Sequence, residues 1–170
     1  LKNRCAEVTG IQVAALAKRI ETVPSKKSYI GVSGGLDSTL ALLVAVNAYR
    51  ELKLSTKNIT GITMPGFGTT SKTKNNAIEL MNRLDISQKT VDIRQMCFDS
   101  MIAMEHKPFG IDLNGLTVPL FEGQLQNLSP EQLEIGDLVF ENIQARTRTM
   151  VLMSHGFVLG TGDLSELALG

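Results

Sequence analysis

A glycine-rich turn between an apolar strand and a helix is the feature that most limits how this chain can fold. Residues 29–32 predict a short buried strand, and a helical pattern begins at Ser38. Gly34 and Gly35 allow a sharp turn and a close approach of the backbone to a ligand. Such a unit places the unpaired N–H groups of a helix's first turn, and the positive end of its dipole, at one edge of a sheet. We therefore predict an anion site at this turn.

The carboxylate of Asp37 indicates that a cation binds at this turn together with the anion. A carboxylate beside a bound phosphate would be repelled unless a divalent cation bridges the two, so the turn indicates Mg²⁺ together with phosphate. No lysine follows the glycines, which excludes the P-loop pattern G-x-x-x-x-G-K-[ST], and the dinucleotide pattern G-x-G-x-x-G is also absent. The alternative is an ordinary turn in which Asp37 and Ser38 cap the next helix.

Strand and helix patterns alternate along the chain. They predict an α/β fold with a doubly wound parallel sheet and helices on both faces. The predicted helices are 8–23, 38–52, 72–84, 95–105 and 137–153, and the predicted strands are 28–32, 58–64, 89–93 and 157–160. Ligands of such sheets bind at the carboxyl ends of the strands, where the polar turns 33–37, 64–70 and 161–163 fall. The segment 106–136 contains three prolines and fits no element, so we expect it to be irregular and either functional or mobile.

Composition excludes several classes of protein. With 17 Lys and Arg against 17 Asp and Glu, the chain has no basic footprint for nucleic acid or for an anionic membrane. It has no apolar run long enough to cross a bilayer and no secretory signal. Cys5 and Cys97 lack metal-site spacing and are expected to be reduced thiols. These features favour a soluble cytoplasmic protein with one domain over 1–170, which we expect to be a fragment truncated at both ends.

Two further stretches contain candidate ligand residues. In 141–148, Asn142 and Arg146 share a helix face that suits a phosphate or carboxylate ligand, although spacing alone favours a solvated face. In 160–170, Thr161 is placed to reach a phosphate or ribose, and Glu166 is a candidate second magnesium ligand opposite Asp37. Spacing alone favours a helix cap for this last stretch.

The motifs together resemble a known family. Ser33-Gly34-Gly35-Leu36-Asp37-Ser38 matches S-G-G-x-D-S, the signature of the pyrophosphate-loop ATP pyrophosphatases. Followed in order by 64–70, 141–148 and 160–170, it resembles the synthetase domain of NAD synthetases, particularly of the glutamine-dependent two-domain kind. The resemblance covers most of 8–170 and implies the adenine-nucleotide α-hydrolase-like fold. The chain departs from the family's pattern in having a shorter connection from Met153 to Gly160, and the family continues past Gly170.

The resemblance implies a ligase reaction. ATP adenylylates the nicotinate carboxylate of deamido-NAD and releases pyrophosphate, and ammonia then attacks the acyl adenylate to give NAD and AMP. Because ammonia is the nucleophile, we assign no separate catalytic side chain. The implied magnesium ligands are Asp37 and Glu166, and the implied deamido-NAD ligands are Asn142 and Arg146. The implied ATP-binding residues are Gly31, Ser33, Gly34, Gly35, Leu36, Asp37, Ser38, Met64 and Thr161.

The resemblance also implies partners. Ammonia is supplied directly or from glutamine, in which case a glutaminase domain is expected elsewhere in the parent chain, and a homodimer is expected. One alternative is another pyrophosphate-loop amidotransferase such as GMP synthetase, against which 141–148 and 160–170 argue. Another is a non-catalytic nucleotide-binding module, which would gain little from Asp37. His106 and His155 are each isolated in the sequence and are not expected to be catalytic.

Overall fold

The computed structural model describes residues 2–162 as seven α-helices and four β-strands, with two short 3₁₀ turns at Thr56–Asn58 and Pro108–Gly110. In chain order the elements are α1 Lys2–Thr22, β1 Ser28–Gly31, α2 Leu36–Glu51, β2 Ile59–Thr63, α3 Ser71–Arg83, β3 Ser87–Thr90, α4 Arg94–Ala103, α5 Val118–Gln126, α6 Pro130–Ile135, α7 Leu138–Met153 and β4 Val158–Leu159. Over this described range no helix is both long and apolar enough to cross a membrane.

The four strands form one parallel sheet in the order β3-β2-β1-β4. Ile30 of β1 lies opposite Gly61 of β2 on one side and Leu159 of β4 on the other. The chain winds from β1 through β2 to β3 and then returns to the far side of β1 for β4. This reversal makes the carboxyl ends of β1 and β4 the topological switch point, where ligands of such sheets bind.

Helices cover both faces of the sheet. A Cβ atom added at Gly31 would lie 3.2 Å from Leu152 of α7, and one added at Gly61 would lie 2.3 Å from Met81 of α3. Gly31 and Gly61 are one position out of register with each other, so their side-chain directions point to opposite faces. The predicted α/β fold with a parallel sheet is therefore confirmed.

The described residues divide into two compact units. The first comprises 2–64, 70–91 and 152–162 and contains the sheet with α1, α2 and α3. The second comprises 65–69 and 92–151 and contains α4, α5, α6 and most of α7. The first unit's core is built from α1, α2, α3 and the strands, and its fully enclosed side chains include Ile20, Ile30, Leu42, Tyr49 and Ile59. The second unit's buried apolar residues are Ile93, Cys97, Phe98, Met101, Leu113, Phe121, Phe140, Ile143 and Val151.

Two helices of the second unit lie within the predicted irregular segment 106–136, and that prediction was wrong for 118–126 and 130–135. Pro119 and Pro130 occupy the first turns of α5 and α6. At a helix start proline removes no intrahelical hydrogen bond, and its fixed φ suits the helix. Ser129 and Gln132 add a reciprocal capping box to α6.

Two further elements differ from the prediction by three or more residues at one end, whereas the other boundaries agree within two. The first helix begins at Lys2 rather than at residue 8. β3 covers Ser87–Thr90 rather than 89–93, because the parallel ladder with β2 runs from Thr60–Ser87 to Thr63–Thr90. Pairing with the neighbouring strand, rather than apolar character, sets where this short strand lies.

Candidate functional site

The glycine-rich turn leaves β1 at the switch point and leads directly into α2. Gly35 is the N-cap residue of α2, and no side chain caps this helix. The alternative in which Asp37 and Ser38 cap the helix is therefore wrong. Ser38, which is 4% exposed, instead donates to the Gly35 carbonyl at 3.2 Å and lies 3.1 Å from the Ser33 hydroxyl. The first turn of α2 thus keeps N–H groups and hydroxyls available to an anion.

The absence of a side chain at Gly34 lets the turn pack closely against α3. The Gly34 φ of +88° lies in the left-handed region that favours glycine. A Cβ atom at this position would lie 2.5 Å from the Thr73 carbonyl oxygen, a backbone atom in the first turn of α3. Thr70 caps α3 by accepting a hydrogen bond from the Thr73 N–H at 3.3 Å. The turn can therefore take this position only because the chain has no side chain there.

A cavity of about 890 Å³ opens beside the switch point and brings two predicted ligand residues together. Asp37 of α2 and Thr161 after β4 both line it. Arg19 and Gln12 of α1 line the same cavity, and sequence reasoning did not find them. Helical spacing identified α1 but gave no sign that this face of the helix borders a site.

Asp37 has a carboxylate that is accessible to a metal ion. It is exposed in the first turn of α2, and its carboxylate makes no hydrogen bond or ion pair with any residue of the described range. No group of three or more His, Cys, Asp or Glu that could hold a metal occurs among residues 2–162. Mg²⁺ commonly uses one or two protein carboxylates and takes its other ligands from phosphates and water, so a single unpaired Asp37 fits it. Glu166 lies outside the described residues.

The remaining predicted ATP residues lie around the end of β1. The Met64 Cε atom would be 3.3 Å from a Cβ atom at Gly31, so the Met64 side chain lies next to the strand end that leads into the turn. Leu36 is 86% exposed, so its contribution to the turn is through its backbone. Thr63, the residue before Met64, has a buried hydroxyl with no hydrogen-bond partner in the described chain.

Asn142 and Arg146 lie in the second unit, on the exposed face of α7. The buried residues of α7 are Phe140, Ile143, Gln144, Thr147 and Val151. Both predicted deamido-NAD ligands are therefore presented on one accessible helix surface.

Asp137 fixes the start of α7, a role that sequence reasoning missed. Its carboxylate accepts hydrogen bonds from Phe140 N at 2.9 Å and Phe109 N at 3.0 Å, and it lies 2.9 Å from His106 Nε2. Burial raises the pKa of Asp137, but these donors outweigh burial and hold its pKa below the ordinary value. His106 is therefore half-buried against a carboxylate rather than isolated.

An ion-pair network joins α4 and α5 in the same unit. Arg94 contacts Glu122 at 2.7 Å and forms a bidentate pair with Asp92, and these hydrogen bonds raise the pKa of the Arg94 guanidinium. Glu122 also lines a cavity of about 230 Å³ whose walls include Phe67, Phe109 and Phe140. Spacing could not have found this network, because Arg94 and Glu122 are 28 residues apart.

The sequence is similar to proteins of known function. Residues 10–170 match the family model for NAD synthase. A glutamine-dependent NAD(+) synthetase from Mycobacterium leprae is 38% identical over 175 residues, which cover 100% of this chain and 23% of that protein. An NH(3)-dependent NAD(+) synthetase from Pyrobaculum aerophilum is 27% identical over 94% of this chain and 51% of that protein.

A solved structure shows the same similarity. The glutamine-dependent NAD+ synthetase from Acinetobacter baumannii, in complex with adenosine diphosphate, superimposes with a TM-score of 0.72 and 27% identity. The match covers 97% of this chain and 27% of that one. The chain thus spans about a quarter of the length of the glutamine-dependent relatives that it matches.

Proposed function

Because the chain belongs to the NAD synthase family, we propose that the whole protein amidates deamido-NAD to NAD in an ATP-dependent ligase reaction. The nicotinate carboxylate attacks the α-phosphorus of ATP, which forms the acyl adenylate and releases pyrophosphate. Ammonia then attacks the acyl carbon, AMP leaves, and a proton is lost from nitrogen. The observation that carries this proposal is the shared cavity of Asp37 and Thr161, beside an anion-binding turn at the switch point.

The turn from Ser33 to Ser38 stabilises the departing pyrophosphate. Negative charge develops on the leaving group, and the first N–H groups of α2 with the Ser33 and Ser38 hydroxyls face that charge in a preorganised arrangement. Ser38 is held by Gly35, so little reorganisation is needed as the bond to phosphorus breaks. Thr161 and Met64 are proposed to contact ATP from the neighbouring strand ends.

Asp37 is proposed to hold Mg²⁺ together with Glu166. When bound, the ion would neutralise phosphate charge. Asp37 suits this role because its exposed carboxylate has no competing partner in the described chain. ATP thus serves as co-substrate, and Mg²⁺ as the metal cofactor.

Asn142 and Arg146 are proposed to bind deamido-NAD. A guanidinium presents a planar fork of donors to phosphate or carboxylate, and a carboxamide one turn earlier adds a second polar contact. In reactions without a protein nucleophile, positioning of the substrates supplies a large share of the rate.

The nitrogen donor is ammonia, either free or released from glutamine by a glutaminase domain elsewhere in the whole protein. We favour glutamine, because the relative at 38% identity is named glutamine-dependent. The remaining parts of the proposal are a homodimer, a cytoplasmic location and a synthetase domain that extends over 1–170.

The test is pyrophosphate release by the whole protein with ATP, Mg²⁺ and ammonium, with and without deamido-NAD. We expect release that requires deamido-NAD and equals NAD formed. Asp37→Asn should abolish both, whereas the matched control Asp99→Asn, at an exposed aspartate that accepts a hydrogen bond from Gln95, should behave as the unaltered protein. Turnover with xanthylate, but none with deamido-NAD, would keep the pyrophosphate turn and overturn the substrate.

A further inference from the structure

Gln144 is a buried amide on a helix whose neighbouring polar side chains are exposed. It is 6% exposed, whereas Asn142 and Arg146, two residues away on either side, face solvent. A buried carboxamide is tolerated when its oxygen and nitrogen find hydrogen-bond partners. The hydrogen-bond partners of the Gln144 carboxamide therefore indicate its structural role.

The partner of the Gln144 oxygen lies far away in sequence. Oε1 accepts a hydrogen bond from the Phe67 backbone N–H at 2.9 Å, across 77 residues of chain. Nε2 lies 3.5 Å from the Phe140 carbonyl oxygen, one turn earlier on α7. The strong contact thus joins α7 to the turn 65–69.

The fit around this contact is close. A Cβ atom at Gly66 would lie 2.5 Å from Gln144 Oε1 and 3.0 Å from Arg148 Nη2. Two positions along, a Cβ atom at Gly68 would meet no atom within 4 Å. The turn is therefore pressed against α7 at Gly66 and Phe67 but is open at Gly68.

The turn 65–69 follows directly after Met64, the last residue before the chain leaves the carboxyl end of β2. It is closed by the Gly66 N–H to the Thr69 hydroxyl at 2.9 Å and by Thr69 N to the Gly66 carbonyl at 3.2 Å. Ile93 N donates to the Pro65 carbonyl at 3.1 Å. These bonds shape the turn, while Gln144 ties its middle to a helix.

We propose that Gln144 is a positioning residue for ATP binding, acting through the turn 65–69 and so on Met64; this rests on the proposed function. Helix α7 keeps its own backbone hydrogen bonds when the Gln144 amide is lost, so Asn142 and Arg146 stay in place. The turn, by contrast, loses the acceptor for the partly buried Phe67 N–H and moves. A change at Gln144 therefore weakens ATP binding and leaves deamido-NAD binding intact.

The first variant is Gln144→Leu in the whole protein, with steady-state kinetics for both substrates and the Kd for ATP by calorimetry. We expect KM and Kd for ATP to rise about tenfold, the effect of losing one hydrogen bond, while KM for deamido-NAD stays within about twofold. Gln144→Glu should restore ATP binding, because a carboxylate oxygen still accepts from Phe67 N and lies beside Arg148. Gln124→Leu, the same change at an exposed helix position, is the control.

A second variant tests the same contact from the turn. Gly66→Ala places a methyl group against Gln144 Oε1 and should raise KM and Kd for ATP as Gln144→Leu does, with KM for deamido-NAD unchanged. Gly68→Ala has open space and should leave both constants unchanged. If Gln144→Leu does not fold, the comparison of Gly66→Ala with Gly68→Ala still tests the role of the contact between Gln144 and the turn.

The outcomes separate this inference from the proposed reaction. A protein that binds ATP but forms no NAD refutes the reaction, and Kd for ATP still reports the role of Gln144. Unchanged ATP binding in both Gln144→Leu and Gly66→Ala overturns the inference, as does a parallel rise in both KM values, which is the sign of a merely structural role.

Discussion

Replacing Gly34 with alanine should destabilise the first unit by two separable effects. The left-handed φ of +88° costs an L-residue about 1–2 kcal/mol. The new methyl group would lie 2.5 Å from the Thr73 carbonyl oxygen, and relieving an overlap with backbone atoms costs about 1–3 kcal/mol more. We therefore expect Gly34→Ala to lower the free energy of unfolding by roughly 2–5 kcal/mol.

Gly115→Ala is the matched control, because Gly115 has a φ of +73° but no atom within 4 Å of a new Cβ. It should show the left-handed cost alone, about 1–2 kcal/mol. The assay is hydrogen–deuterium exchange under native conditions, with peptides covering 29–42 and 70–80 for Gly34→Ala and peptides around 115 for the control. Equal loss of protection in the two variants would refute the claim that the turn is pressed against α3.

Three further predictions concern individual contacts. Asp137→Asn should destabilise the protein by about 1–3 kcal/mol at neutral pH, because its donors lose a carboxylate. Since folding lowers the pKa of Asp137, the stabilisation by its carboxylate is complete above the unfolded pKa and is lost as pH falls through the folded pKa. When the free energy of unfolding is measured at decreasing pH, Asp137→Asn should therefore lose less stability than the unaltered protein. Tyr49→Phe should cost about 1 kcal/mol in urea unfolding without changing turnover, because the fully buried hydroxyl lies 3.1 Å from the Lys26 carbonyl and 3.0 Å from the Ser28 hydroxyl. Arg146→Lys should raise KM for deamido-NAD about tenfold with KM for ATP unchanged, because lysine lacks the planar fork of donors; equal effects on both constants would contradict this role.

The sequence predicted the local parts of the site well, because local pattern determines them. The turn 33–38 needs its glycines and hydroxyls within six residues, and the structure places them between the end of β1 and the first turn of α2. Helix α7 was also predicted closely, because its buried face repeats at helical spacing over about three turns. The roles assigned to individual ligands stay predictions.

Long-range pairing explains what the sequence could not predict. Arg19 borders the cavity only because α1 packs near α2, and the Asp137 contacts join residues about 30 positions apart. β3 is polar and short, and its place is set by β2 rather than by its own composition. Proline was misleading in α5 and α6, since its effect on a helix depends on whether it lies in the first turn or further inside.

The order of the strands also determines when this sheet is completed during synthesis. Tyr29 of β1 pairs with Val158 of β4, after the whole second unit has been made. At a translation rate of about 5–20 residues per second, one edge of β1 therefore stays unpaired for on the order of 10 s until β4 is made. Unpaired strand edges promote association with other chains. The nascent protein therefore exposes this edge of β1, next to the turn of the anion site, and we expect chaperones to bind there before β4 is made.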